Sequence, residues 1–347
     1  MTPVRRSAFA AGALAAVLAL AAPADAQAPA AAPIELKLSY FVPQTHGWYR
    51  DWLEPWAQEL SRRTNGQVRV TFFAAGSTFG NPARAYDQVV AGVTDIACGL
   101  RGVPAGRFPR SSIIEIPFMA QTANAATRAL WATYPRYLRD DYRDVKVLAL
   151  HAHNAGLITT RDRQVTRLED MRGLRLRTPS PIVSGMIQAL GAVPVSLPPL
   201  DVYENIQRGT LDGAAFTWDA VAAFRIGEVT RYEFDIRSYV ASFYFVMNQR
   251  RYDSLPENVR QAIDAISGDA LIERFGDWWN RWDEPGMELA RQRNHVVTTA
   301  SAEERARWQQ ALQPTIEQQL GELERGGVPN AREIYQAMRE IVARYER

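Results

Sequence analysis

Apolar and polar residues alternate with a period of two in several short segments, and segments with a helical period separate them. The first strand pattern, at 34–40, is followed by apolar residues at helical spacing over about 48–65 and by a second strand pattern at 68–73. A helix pattern at about 82–90 and a strand at 95–100 come next. Parallel strands joined by helices require a sheet covered on both faces. The start of the fold is therefore predicted to be a βαβαβ unit.

The middle of the chain repeats this alternation and predicts a second α/β unit from about 154 to about 240. Asp201 and Glu204 have the spacing of a capping box, which predicts a helix that begins there and ends at Gly209. The other elements predicted in this region are strands at 145–153, 174–177, 193–196 and 212–216 and a helix at 181–190.

The last third of the chain is mostly helical in pattern. An apolar strand is predicted at 242–247, too far along the chain to be a sequential neighbour of the first sheet, although it can return there. From Pro256 the spacing of apolar residues is helical nearly to the C-terminus. In an architecture of two α/β units followed by helices, the natural ligand site is the cleft between the units.

The N-terminal segment has the pattern of a secretory signal peptide. Arg5 and Arg6 precede an uncharged stretch of Ala, Leu and Val at 7–22, and small residues follow up to Ala26. A membrane anchor is the alternative, but this stretch covers only about 24 Å as a helix, short of a hydrocarbon core of about 30 Å. We predict cleavage after Ala26, a flexible lead-in at 27–33 and a periplasmic protein, exported by the general secretory or the twin-arginine route.

Composition and charge narrow the class of protein. The 347 residues are 47% hydrophobic and 22% charged, which is typical of a folded chain long enough for two cores. The 40 basic residues nearly balance the 38 acidic ones, and they form no cluster of the kind that binds a phosphate backbone. A nucleic acid is therefore not an expected partner. Cys98 is the single cysteine, so no internal disulfide can form.

The sequence lacks the common signatures of catalysis. It has no Gly-x-Ser-x-Gly, Gly-x-Gly-x-x-Gly, phosphate-loop or His-Glu-x-x-His motif. His151 and His153 would share one face of a strand, but no third metal ligand is evident beside them. We predict neither an enzyme nor a metal or other cofactor. A periplasmic hydrolase or lyase that uses these histidines and Asp219 is the alternative.

Two arginines in the strand at 174–177 are the most informative polar residues. Arg175 and Arg177 lie on the same face of this strand, and Arg177 stands at its carboxyl end. The carboxyl ends of parallel strands face the cleft in folds of this kind. A guanidinium there offers a planar, permanently charged fork for a carboxylate. The residues alone leave open a salt bridge at the surface or between domains instead.

The chain resembles the substrate-binding proteins of TRAP transporters, the tripartite ATP-independent periplasmic family, from about residue 36 to about residue 272. Each matching segment is weak alone, but the order and spacing of the segments together are specific. They are SYFVPQTH at 39–46, TNGQVRV at 64–70, QVVAGVTDIA at 88–97, IPF at 116–118, LEDMRGLRLR at 168–177, LGAVPV at 190–195 and GTLDG at 209–213.

This resemblance implies an α/β, two-lobed periplasmic binding protein of the Venus-flytrap type. The expected lobes are 34–153 plus 241–282 and 154–240 plus 283–347, with a long connecting helix at 256–285 and a helical C-terminal wrap. An organic acid would bind in the cleft and be delivered to integral-membrane TRAP subunits. Arg177 matches the arginine that clamps the ligand carboxylate in the family. A component of another uptake or sensory system remains the alternative.

Two departures from the family pattern affect the expected ligand. Many members carry another ligand-facing arginine in the strand that enters the second lobe, but the segment at 153–159 has none. Many also carry Gln-Glu-Asn-Pro after the Asp-Gly pair, whereas here AAFTWD follows at 214–219. A dicarboxylate or a sialic acid is therefore disfavoured, and a monocarboxylate with an apolar or aromatic body, such as an aryl 2-hydroxy or 2-oxo acid, is favoured.

The predicted ligand-binding residues follow from this interpretation. The aromatic residues would stack on the ligand, although each of them can instead belong to the core. His46 and Arg101, both after strand ends, would supply polar contacts. The complete set is Arg177, Trp218, Phe216, His46, Arg101, Tyr40, Asn154 and Phe243.

Overall fold

The computed structural model describes residues 32–346. The predicted signal peptide, 1–26, and most of the predicted lead-in, 27–33, lie outside the described residues. The strands of the described part are β1 (Ile34–Tyr40), β2 (Val68–Phe73), β3 (Ile96–Leu100), β4 (Val145–Ala152), β5 (Leu157–Thr160), β6 (Arg175–Thr178), β7 (Val193–Ser196), β8 (Gly213–Phe216), β9 (Tyr232–Asp235), β10 (Ser242–Asn248) and β11 (Val296–Thr299). The α-helices are α1 (Glu54–Arg63), α2 (Pro82–Val90), α3 (Ala123–Thr133), α4 (Pro181–Ala189), α5 (Val202–Gln207), α6 (Trp218–Ala223), α7 (Gln249–Ser254), α8 (Glu257–Ala265), α9 (Asp269–Gln292), α10 (Ala302–Arg325) and α11 (Ala331–Tyr345).

The first sheet has five strands in the order β2-β1-β3-β10-β4. Strand β1 pairs in parallel with β2 and β3, as the βαβαβ pattern predicts. Strand β10 runs antiparallel between β3 and β4, so the prediction that this late apolar strand can return to the first sheet is confirmed. Every residue of β3 and β10 is buried, because helices cover both faces of the sheet.

The second sheet has six strands in the order β11-β9-β5-β8-β6-β7. Strand β6 is parallel to both β7 and β8, and Arg177 is paired with Val195 on one side and Ala214 on the other. Strand β11 pairs in parallel with β9 and corrects the prediction of helix throughout this region. It is a short edge strand of Val and Thr, and such β-branched runs are favoured in strands.

The long helix differs from the prediction of one helix over 256–285. It is divided into α8 and α9 by a break at Gly268, which has a φ of +59° and donates its backbone N–H to Leu148 O. A left-handed φ of this kind interrupts a helix and favours glycine. Helix α9 continues past Pro285 and packs against α3 and β4 as well as against α6. It therefore contacts elements beside both sheets.

The capping box predicted at Asp201 is wrong. Residues 199–201 form a 3₁₀ turn that runs directly into α5, so Asp201 already has helical backbone angles and its side chain caps no backbone N–H. A capping side chain needs an extended backbone at this position. The predicted end of the helix is closer to the structure, since α5 ends at Gln207 and Gly209 has a φ of +73°.

The two-sheet α/β architecture, with a helix in contact with both parts, confirms the predicted fold class. The lobe bounds stay a prediction. Helix α11 packs against α3, which lies beside the first sheet, and the Tyr137 hydroxyl donates to Glu333 of α11. This packing differs from the assignment of 283–347 wholly to the second lobe. Within residues 32–346, no helix is long and apolar enough to cross a membrane.

Candidate functional site

A cavity lies between the two sheets, at the carboxyl end of β6. Its wall is mostly apolar and is built from segments that are far apart in the sequence. The aromatic rings are Phe41, Trp48, Phe216, Phe224, Tyr239, Phe243 and Trp279. The polar side chains of the wall are His153, Arg177, Thr217 and Asp219. An apolar cavity with a few polar groups is the usual form of a small-molecule site.

Arg177 is the cation of this wall, and only 2% of its surface is exposed. Its Nε donates to Leu197 O at 3.1 Å and its Nη1 to Ala215 O at 3.4 Å. Its Nη2 is buried without a hydrogen-bond partner. The guanidinium lies over the ring of Phe216, 4.4 Å from the ring centre. Two carbonyls and a ring thus hold the guanidinium in place and leave one of its nitrogens without a partner.

Within residues 32–346, no carboxylate oxygen lies within 4.0 Å of the Arg177 guanidinium. Burial without a charged partner lowers the pKa of Arg177 to about 10, because desolvation disfavours the charged form. The salt-bridge alternative therefore does not hold for Arg177. It holds for Arg175, which pairs with Asp212 at 2.6 Å in a largely solvent-exposed position.

Asp219, at the start of α6, is the acid of the cavity wall. Its carboxylate accepts a hydrogen bond from the Thr217 hydroxyl and lies 3.3 Å from His46 Nε2. Its backbone N–H donates to Asp283 Oδ1 at 3.0 Å, and Asn154 Nδ2 donates to Asp283 Oδ2 at 2.9 Å. Burial, and then the nearby charge of Asp219, raise the pKa of Asp283 to about 7. A buried polar network thus adjoins one wall of the cavity.

Burial favours the neutral form of His151, in β4, and of His153, just after it, but His151 Nε2 is buried without a hydrogen-bond partner whereas both ring nitrogens of His153 are bonded. Ala241 N donates to His153 Nε2 at 2.9 Å, so His153 Nδ1 carries the hydrogen and donates to Asn154 O at 2.5 Å. His151 stacks on Phe275, with 4.0 Å between ring centres. Burial lowers the pKa of both rings. In the described part of the chain, no group of three or more His, Cys, Asp or Glu residues is placed to hold a metal ion.

Of the eight predicted ligand-binding residues, the structure places three in the cavity wall: Arg177, Phe216 and Phe243. His46 lies just behind the wall, beside Asp219. Asn154 also lies outside the wall, and its side chain joins Asp283 to the backbone N–H of Ala123.

Three of the predicted residues lie outside the cavity wall and make other contacts, and their ligand-binding role stays a prediction. Arg101 forms a buried ion pair with Glu115, so its charge is already compensated. Tyr40 packs against Tyr49 and Phe72, with ring centres 6.2 and 6.4 Å away. The next residue along the chain, Phe41, lines the cavity instead, because successive side chains of an extended segment point to opposite faces.

Trp218 is the third predicted residue outside the wall. It is the first residue of α6 and lies outside the wall, although the residues on both sides of it, Thr217 and Asp219, line the cavity. Its backbone carbonyl packs closely on Gly286 of α9. A helix directs successive side chains about 100° apart, so neighbours in the sequence need not share a face.

The prediction missed several rings of the wall. Trp48 and Trp279 each belong to a run of aromatic residues at helical spacing, which indicates a buried helix face. A residue of the core shows the same spacing, so these runs are the one signal for the two residues and do not separate a ligand site from the core. Nothing in the sequence distinguishes Tyr239 from a core residue.

The two α/β sheets, the helix that contacts both parts and the cavity with its uncompensated cation define a two-lobed solute-binding protein. A family model described as bacterial extracellular solute-binding protein, family 7, matches residues 38–322. The chain belongs to this family and is a TRAP substrate-binding protein. The predicted family is therefore confirmed, and the chain is a binding protein rather than an enzyme.

Solved structures of similar proteins match nearly the whole chain. A TRAP solute-binding protein from Rhodoferax ferrireducens, in complex with copurified benzoate, has a TM-score of 0.86 and 29% identity, with 90% of this chain and 98% of that chain covered. A marine metagenome TRAP solute-binding protein specific for aromatic acid ligands, in complex with 3-hydroxybenzoate, has a TM-score of 0.85 and 26% identity, with 91% and 99% covered.

A curated relative matches a shorter part of the chain. It is the outer membrane transporter protein TsaT of Comamonas testosteroni, which is 27% identical over 228 residues. The match covers 64% of this chain and 66% of that protein.

Proposed function

We propose that this protein captures a monocarboxylate with an aromatic or apolar body and presents it to the integral-membrane subunits of a TRAP transporter in the periplasm. The observation that carries this proposal is the buried, uncompensated guanidinium of Arg177 in the cavity wall. Burying a charge without a partner is costly, and an incoming carboxylate removes most of that cost by pairing with it. The unpartnered Nη2 is a donor available to that carboxylate.

The rest of the wall favours an aromatic body for the ligand. Phe216 and Phe243, with five further aromatic rings, leave few polar groups to solvate a sugar or a polyol. Aromatic rings gain about 0.5–1.5 kcal/mol from offset or edge-to-face packing beyond the burial of their area. An aryl acid would therefore use both the cation and the rings of this cavity.

The wall does not suit a second carboxylate. Among the described residues that line the cavity, Arg177 is the one cation, and the geometry around His153 indicates a neutral ring. A second carboxylate would be buried without a partner and near the acid Asp219. The benzoate and 3-hydroxybenzoate complexes of the two similar proteins support the same class of ligand.

Calorimetry with benzoate on the purified protein and two matched variants tests the proposal. Arg177→Met should raise the Kd for benzoate at least about a hundredfold, because the lost pair is worth roughly 3–5 kcal/mol and about 1.4 kcal/mol is tenfold. The thermal stability of the ligand-free variant should be retained or increased, since a buried, uncompensated charge is removed. Arg175→Met, on the same strand but largely exposed, should leave the Kd unchanged. A rise of less than threefold for Arg177→Met would reject the assignment.

A further inference from the structure

Asp219 is the second charged group of the cavity wall, and 6% of its surface is exposed. An ionised carboxylate has about four acceptor positions. The Thr217 hydroxyl occupies one of them, and His46 Nε2 lies 3.3 Å from the other oxygen without forming an aligned hydrogen bond. Within residues 32–346, no lysine or arginine nitrogen lies within 4.0 Å of this carboxylate. Asp219 therefore keeps acceptor capacity in the cavity wall.

The groups around Asp219 are an imidazole and a second acid. The backbone N–H of Trp48 donates to His46 Nδ1 at 3.1 Å, so the hydrogen of this imidazole is on Nε2, the nitrogen nearest Asp219. Asp283 accepts the backbone N–H of Asp219 at 3.0 Å, and burial, followed by the charge of Asp219, raises the pKa of Asp283 to about 7.

The cavity thus has a cation and an anion in a wall that also carries aromatic rings. A ligand that only fills the space leaves the Asp219 carboxylate desolvated and short of donors. A ligand hydroxyl donates one hydrogen to it, and hydrogen bonds to a charged acceptor are roughly twice as strong as neutral ones. A site built to bond a hydroxyl also discriminates strongly against the analogue that lacks it.

We propose that Asp219 is a specificity-determining residue, which selects aromatic monocarboxylates that carry a ring hydroxyl over those that carry none. This inference rests on the proposed function, because Arg177 must first hold the carboxylate of the ligand. The hydroxyl O–H donates to the Asp219 carboxylate while the carboxylate pairs with the guanidinium. No covalent step and no cofactor takes part.

Calorimetry with seven acids on the unmodified protein tests this selection without any variant. The probes are benzoate, its three hydroxy derivatives and the three matching methoxybenzoates, which have no donor. At least one hydroxybenzoate should bind five or more times more tightly than benzoate and than its own methyl ether. If all three hydroxybenzoates fall below this fivefold preference, Asp219 does not select for a hydroxyl and the inference is wrong.

Two variants then assign the selection to Asp219. Asp219→Asn should reduce the preferred hydroxybenzoate to less than a fivefold advantage over benzoate, with both acids measured on the variant. Asp212→Asn, the same change outside the cavity, should retain the full preference. If Asp219→Asn also retains it, the inference is overturned. If this variant fails to fold, the series of ethers on the unmodified protein decides.

The same data separate this inference from the proposed function. If benzoate binds and requires Arg177, but hydroxyl groups change nothing, the specificity role alone is wrong. If none of the seven acids binds the unmodified protein, both the proposed ligand class and the role of Asp219 are rejected.

Discussion

Gly102 lies at a close contact between the two sides of the cavity. It follows β3 of the first sheet and faces the backbone of Pro179 and the side chain of Ser180, which follow β6 of the second sheet. A Cβ on residue 102 would overlap the Pro179 carbonyl oxygen and lie 2.6 Å from Ser180 Cβ. Gly102 has no left-handed φ, so Gly102→Ala strains this contact and not its own backbone.

The size of the effect follows from overpacking. Forcing an extra carbon into a close contact costs typically about 1–3 kcal/mol. If the two sides separate when the cavity opens, the cost falls only on the closed, ligand-binding form. Since about 1.4 kcal/mol is tenfold in affinity, the Kd for benzoate should rise roughly fivefold to 150-fold. The melting temperature of the ligand-free protein should change by less than about 2 °C, because the open form relieves the contact.

Calorimetry with benzoate and thermal melts of the ligand-free protein measure the two effects separately. Gly321→Ala is the control, since its Cβ would meet only the flexible end of Arg325, 3.3 Å away, on an outer helix. A fall in the ligand-free melting temperature of Gly102→Ala, with the Kd unchanged within twofold, would refute the reasoning. That result would mean that the two sides stay in contact without ligand.

Two further predictions concern buried ionisable groups. Because the pKa of Asp283 is raised from the usual 3.8 to about 7, its contribution to stability is fully present below about pH 4 and is lost as the pH rises through 7, by at most about 4 kcal/mol. Urea unfolding of Asp283→Asn should therefore show a flatter dependence on pH than the unmodified protein, and an equal slope would contradict this. Arg101→Met should lower the free energy of unfolding by about 3–5 kcal/mol, because it leaves the Glu115 carboxylate buried and uncompensated. The Kd of its folded fraction for benzoate should stay within threefold, and a tenfold rise without loss of stability would assign Arg101 to the ligand.

Local patterns predicted much of the architecture. Period-two alternation and helical spacing indicate the strands of the first sheet, the α/β class and the position of Arg177 at the end of β6, because each depends on neighbouring residues. Strand β11 and the break at Gly268 were missed. The pairing of β11 with β9, and the bond from Gly268 to Leu148, join segments that are distant in the sequence.

The sequence by itself determined the class of fold, the family and the position of Arg177 at the end of a strand. Only the tertiary structure decided which charges remain uncompensated. Arg101 and Arg177 both lie at the carboxyl end of a strand. Glu115 neutralises Arg101, whereas no carboxylate reaches Arg177. The periodicity of the sequence shows which face of a strand or helix a side chain occupies. The groups that this side chain contacts belong to segments that are distant in the sequence and are brought together only by tertiary packing. The same reason places Asp219 in the cavity wall.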